Sequence, residues 1–274
     1  LVYKRQENRF LLVVNSSNTA KDLEWLQRHA PCYQPVKIVD VTEQTSLIAL
    51  QGPHSRHILE TTLNQPMGHL QTFYADEFAW DGAPLTLSRT GYTGEDGFEF
   101  IVPEEILIRV WEDVLAQGRS FGAAPCGLGA RDVLRLEAGY LLYGQDVDQD
   151  HSTFEANYSW VVKLDKGDFI GKEALQKQKA AGITRRLTGV RLLERGVPRA
   201  GAAVFIDGRQ AGTLCSGTFS PSLQAGIGVG YLDRPALKAG TRCGVRLHGR
   251  EVPAEIVAIP FYASPHLKKG VRHA

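Results

Sequence analysis

The sequence predicts an α+β protein, with antiparallel sheets layered against amphipathic helices, followed by an all-β module. Three observations carry that reading. Before about residue 180, strand-like and helical runs come in the order strand-helix-strand-strand-helix, which suits antiparallel layers rather than a doubly wound parallel sheet. From Leu187 onward, short strand-like runs ("LTGVRLL", "AAVFID", "QAGTLCSG", "GIGVGYL", "CGVRLHG", "EVPAEIVAI") follow one another between Gly, Pro and Asp, with no helical pattern among them. A small barrel or a sandwich of roughly six strands fits that pattern. Composition shifts near residues 178 to 186, which divides the chain into 1–178 and 179–274.

Each element has its own signal. "LVYKRQENRFLLVV" reads as two strands around a polar turn at Gln6 to Arg9. In "TAKDLEWLQRHA", Leu23, Trp25 and Leu26 fall at helical spacing, and Asn18 is the expected cap. "VKIVDV" and "TSLIALQGP" are strand-like; Gly52-Pro53 breaks the second, and "HSRHILETTL" follows as a helix. "FYADEFAW" and "PLTLSRT" alternate as strands around an Asp81-Gly82 hairpin signal. "FEFIVP" is a further strand. "PEEILIRVWEDVLAQG" is an amphipathic helix with Pro103, Glu104 and Glu105 at its start and Gly118 at its end. "GARDVLRLEAGY" is a shorter helix.

Composition narrows the function. Hydrophobic residues make up 43% of the 274 and charged residues 22%, which is globular composition. A net charge of +1 supplies no global field for nucleic acid or an anionic membrane, so neither is an expected partner. The longest apolar runs, such as "FLLVV", are too short to span a bilayer. Cys32, Cys126, Cys215 and Cys243 lie far apart without a CxxC pair, as expected of free thiols in a reducing compartment. The eight histidines lack metal-ligand spacing, and no metal is expected. The text opens at Leu1 directly in a strand-like segment, as a piece of something longer would.

Two stretches hold the candidate chemistry. "RTGYTGEDGFEF", residues 89 to 100, places Gly91, Gly94 and Gly97 before Glu99, more glycine than a plain hairpin needs. Strand alternation sends Glu99 to the face opposite Phe98 and Phe100. A carboxylate so placed accepts two parallel hydrogen bonds from a planar donor edge; a surface hairpin with solvated acids is the plainer alternative. "CGLGARDVLRLEAGYLLYGQD" puts Arg131 in the first turn of a helix, against the helix dipole. Such a cation serves either a carboxylate ligand or a structural ion pair. A basic band, Lys166, Lys172, Lys177, Lys179, Arg185 and Arg186, is either a solvated helix face or a dock for an acidic protein.

The blocks "VVNSSNTAKDLEWL", "SLIALQGP", "RTGYTGEDGFE", "CGLGARDVLRLEAG", "YGQDVD", "DFIGKEAL" and "SGTFSPSL…IGVGYL" resemble, in order and over nearly the whole chain, the aminomethyltransferases (T-proteins) of the glycine cleavage system. The resemblance implies three lobes, two of them interleaved along the chain and the third a β-barrel, incomplete here at the N-terminus. It implies transfer of an aminomethyl carbon from the lipoyl arm of H-protein to tetrahydrofolate with release of ammonia, in the cytoplasm or the mitochondrial matrix. It makes tetrahydrofolate the co-substrate and the lipoyl-bearing H-protein the partner.

By the same resemblance, Glu99 grips the amino and ring N–H edge of the pterin and Arg131 binds anionic or carbonyl groups of the folate. Tyr92, Phe73 and Trp160 contribute flat rings, Val14 lines the pocket, and Tyr262 is a further candidate. The family's catalytic aspartate falls immediately before the segment matching Leu1, so the expectation for this chain alone is near-inactivity. Two relatives on the same scaffold are weighed against this. Folate-dependent demethylases and dehydrogenases are one; the dehydrogenases need a flavin fingerprint absent here. Non-catalytic folate-binding relatives are the other, and they carry a cysteine-bearing "KGCYxGQE"-like segment where this chain reads "KGDFIGKE", with Asp168 in the cysteine's place.

Overall fold

The computed structural model describes residues 1–33, 35–233 and 237–265, and the chain divides into two compact units. One comprises Leu1–Gly91 with Glu95–Cys126; the other comprises Tyr92–Gly94 with Gly127–Ser264.

In the first unit the alternating runs become strands. A hairpin of β1 (Val2–Gln6) and β2 (Arg9–Leu12) precedes α1 (Thr19–His29). A four-stranded antiparallel sheet follows, built from β3 (Thr45–Gln51), β4 (Ala75–Trp80), β5 (Ala83–Ser88) and β6 (Gly97–Pro103) in the order β3-β6-β5-β4. Period-two alternation turns Leu50, Leu87, Phe98 and Phe100 to one face. There they form a core with Ile58 and Leu59 of α2 (Ser55–Leu63) and Val110 and Val114 of α3 (Leu107–Gly118). The other face carries Thr86, Ser88 and Glu99, and β1 reaches it: Arg5 donates to Thr86 at 2.9 Å and pairs with Glu77.

Two expectations fail here. "VKIVDV" is not a strand; residues 36 to 41 have irregular backbone, and a run of apolar residues without a neighbouring strand to receive its hydrogen bonds has no ladder to join. Asn18 occupies the cap position of α1 but makes no side-chain cap bond. Asn15 does the capping instead, accepting from the Ser17 backbone ahead of the preceding 3₁₀ turn.

In the second unit, α4 (Leu128–Glu137) and α5 (Lys172–Ala181) accompany six strands that close into an antiparallel barrel. These are β7 (Arg186–Leu192), β8 (Ala203–Ile206), β9 (Arg209–Ser220), β10 (Ala225–Leu232), β11 (Arg242–Leu247) and β12 (Arg250–Val257), in the order β10-β7-β12-β11-β8-β9. Of the barrel and sandwich alternatives, closure selects the barrel. Its interior is filled by Val190, Val204, Leu214, Leu232, Val245 and Val252. The glycines of "GIGVG" answer to packing, since a Cβ on Gly226 would stand 2.6 Å from the Gly196 carbonyl.

Polar groups fasten α4 to the barrel. Arg135, 1% exposed, pairs with the fully buried Asp146 and donates to Ser216 on β9 at 2.9 Å. Glu137 accepts from Ser220 and Ser222 at 2.5 and 2.9 Å. Among the described residues, no helix is long and apolar enough to cross a membrane.

Candidate functional site

The glycine-rich stretch carries a clamp between two of its own residues. Arg89 grips Asp96 with two parallel bonds, Nε to Oδ1 at 2.9 Å and Nη2 to Oδ2 at 2.7 Å, while Nη1 donates to the Leu70 carbonyl at 3.0 Å. Asp96 is therefore a structural acid. The Asp96 carbonyl also accepts from the Gly52 backbone at 2.8 Å, which ties the loop to the chain entering α2.

Glu99 lies on β6 between Phe98 and Phe100, both fully buried on the core side, and itself faces the opposite side, half-buried. Across the sheet its neighbours are Ala49 on β3 and Ser88 on β5. The Thr90 hydroxyl donates to Glu99 Oε2. Ser88 Oγ lies 2.9 Å from that hydroxyl and Tyr3 Oη 3.3 Å, so three hydroxyls converge beside one carboxylate. Burial raises the Tyr3 pKa; hydrogen bonds with Ser88 and Thr90 oppose that shift, and the Glu99 charge adds to it. Among the described residues no further hydrogen bond reaches Glu99, so an ionised carboxylate keeps acceptor capacity for a planar donor.

Phe73 and Val14 belong to the same unit as Glu99. Phe73, 47% exposed, holds a φ of 69°, a left-handed conformation that a bulky residue rarely adopts, and its backbone donates to the Arg89 carbonyl at 2.9 Å. Val14 is exposed just beyond β2.

Tyr92, Arg131, Trp160 and Tyr262 belong to the second unit. The Arg131 guanidinium sits 4.8 Å above the Tyr92 ring, and Tyr92 stacks on Tyr140 with centroids 5.5 Å apart and planes 11° from parallel. The phenol of Tyr92 donates to the Leu141 carbonyl at 2.5 Å. Its pKa is pushed up to about 12, first by burial. Gly94, with a φ of +77°, passes so close to α4's end that a Cβ there would lie 2.7 Å from that of Ala138. Arg131 forms no ion pair within its unit among the described residues; an exposed cation stacked on a ring presents its donor edge outward. Trp160 is half-exposed, with Tyr158 at 6.3 Å. Tyr262 donates its backbone N–H to the Glu137 carbonyl at 2.9 Å.

Three of the six residues of the basic band are ion-paired, Arg185 with Glu155 at 2.8 Å, Lys172 with Asp168 at 3.6 Å and Lys177 with Glu173 at 2.6 Å, and Lys166 sits 4.9 Å over the Phe169 ring. Sequence reading missed Tyr3, Gln51, Ser88, Thr90 and Tyr140. Only Tyr140 carried a local signal, an aromatic directly after the glycine that follows α4.

Residues 1–166 match the GCVT N-terminal domain and residues 185–263 the glycine cleavage T-protein C-terminal barrel domain. An aminomethyltransferase of Halalkalibacterium halodurans is 41% identical over 263 residues, covering 96% of this chain and 72% of that protein. One from Symbiobacterium thermophilum is 42% identical over 272 residues, covering 97% of this chain and 72% of the relative. The crystal structure of glycine cleavage system aminomethyltransferase T from Bartonella henselae superposes with a TM-score of 0.85 at 30% identity, over 95% of this chain and 71% of that one.

Proposed function

The chain belongs to the aminomethyltransferase family of the glycine cleavage system, and from that premise we propose that it serves tetrahydrofolate-dependent aminomethyl transfer. In that reaction the carbon held as a thioaminal on the lipoyl arm of H-protein passes to tetrahydrofolate. Ammonia, 5,10-methylenetetrahydrofolate and dihydrolipoyl H-protein are the products. Residues 1–178 take the folate-binding role and 179–274 form the barrel domain; the edges of the two family matches, at 166 and 185, support that division.

The observation that carries the reading is Glu99: a carboxylate turned away from the core, fixed by one hydroxyl and with acceptor sites to spare. A reduced pterin offers adjacent amino and ring N–H donors, which such a carboxylate binds in parallel, each bond contributing about 1.5–3 kcal/mol. Tyr92, held by Tyr140 and Leu141, supports Arg131 above its ring, and the Arg131 guanidinium has donors for the carbonyl or carboxylate groups of the folate. Phe73, Trp160 and Val14 supply exposed apolar surface for the rest of the ligand, and Tyr262 a further ring. The H-protein is the acidic partner we assign to the basic band; the ion pairs and the Lys166 ring contact within it leave Lys179 and Arg186 as the charges to test. The proposed setting is the cytoplasm, or the mitochondrial matrix in a eukaryote.

Two calorimetric titrations separate the roles. Glu99→Ala is expected to weaken both tetrahydropterin and tetrahydrofolate by about 10-fold or more, because the lost bonds are to the shared ring. Arg131→Ala is expected to weaken tetrahydrofolate and leave tetrahydropterin unchanged. Equal affinity of Glu99→Ala and the parent chain for both ligands would remove the reading's support.

A further inference from the structure

Gln51 closes β3 on the same sheet face as Glu99, two residues after Ala49, the cross-strand neighbour of Glu99. Its Nε2 donates to the Thr90 carbonyl at 3.1 Å and to the Phe98 carbonyl at 3.3 Å. Two carbonyl acceptors fix which end of the amide points there, since only the NH₂ group donates. The side chain therefore ties the loop at Thr90 to the strand that carries Glu99.

The two flanking glycines are shaped to this amide. A Cβ on Gly91 or on Gly97 would overlap the Gln51 side-chain amide, so any larger residue at either position drives Gln51 out of its slot. Two of the glycines in residues 89 to 100 thus make room for a side chain 40 and 46 positions upstream of them. What the slot fixes is Thr90, and the Thr90 hydroxyl is the group that holds the Glu99 carboxylate.

We propose that Gln51 is a positioning residue for Glu99: through Thr90 it sets where the carboxylate stands and which of its lone pairs remain for a ligand. The inference deepens the proposed function and rests on Glu99 binding the pterin. Without the amide, the Thr90 carbonyl loses its donor, the loop relaxes, and the Thr90 hydroxyl no longer fixes the carboxylate.

The test is a double-mutant cycle on the full chain, titrated calorimetrically with 5-formyltetrahydrofolate. Gln51→Ala is expected to weaken binding about fivefold or more when Glu99 is present and less than about twofold when Glu99 is already alanine. A merely structural defect would weaken both backgrounds alike, and equal losses overturn the inference while the functional reading stands. Thr90→Val, which keeps the side-chain shape, covers the case in which Gln51→Ala does not fold. It is expected to show the same Glu99-dependent loss, restored by Thr90→Ser, and a loss independent of Glu99 overturns the inference. If the parent chain binds no folate, or Glu99→Ala binds as well as the parent, the functional reading fails and the inference with it.

Discussion

Arg135 shows how much one residue decides. Burial opposes its charge, but Asp146 and Asp132 outweigh burial, so its pKa is raised and the guanidinium stays charged in the interior. Removing one partner of such a pair strands the other, at a cost of about 3–5 kcal/mol. Arg135→Met is therefore expected to lower Tm by about 10 °C in a calorimetric scan, and an unchanged Tm would refute the account of this network. The same scale marks what local sequence discloses. Glu99 between two phenylalanines was readable because strand alternation needs no knowledge of the partner strands. Gln51 was not, because its meaning depends on glycines that arrive at 91 and 97, and nothing near position 51 encodes them. Asp96 looked like a solvated turn acid until Arg89, seven positions earlier, was seen to grip it.

Elements form where propensity and partners agree. The six barrel strands were legible as short apolar runs cut by turn residues, but a barrel and a sandwich share that pattern, and only the pairing of β10 with both β7 and β9 settles closure. "VKIVDV" had the propensity without the partners and stayed irregular. The segment entering β7 is held by chemistry invisible to periodicity: Arg185 donates to Glu155 and to the Asp150 carbonyl at 2.9 Å. Burial works against the Glu155 carboxylate, yet the Ser152 backbone donor and Arg185 hold its pKa below the usual range. A carboxylate whose folded pKa is depressed stabilises fully above its unfolded pKa, about 4.3, and loses that contribution as pH falls through the folded value. Glu155→Gln is thus expected to cost about 1–3 kcal/mol at pH 7 and progressively less as pH falls through the folded value, read as the difference in urea midpoint from the parent. A difference that persists undiminished in acid would contradict the assignment.

Across the whole molecule, the chain spans about 72% of the length of curated relatives and keeps both family segments in order. Four tyrosines of the second unit, Tyr92, Tyr140, Tyr158 and Tyr231, have pKa values raised chiefly by burial, Tyr92 to about 12. Above about pH 10 the unfolded chain ionises its tyrosines while the folded chain keeps those protons, so stability falls as pH rises. Denaturant midpoints between pH 9 and pH 11 are expected to decline, and a flat profile would contradict that burial. The proposed function rests on one carboxylate, Glu99, recognising a reduced pterin. Its most direct measurement is a calorimetric titration of the full chain with tetrahydrofolate beside Glu99→Gln, which keeps the shape and removes the charge. Saturable one-to-one binding, weakened about 10-fold or more by the substitution, is the predicted result; no binding, or the same affinity in both proteins, would contradict it.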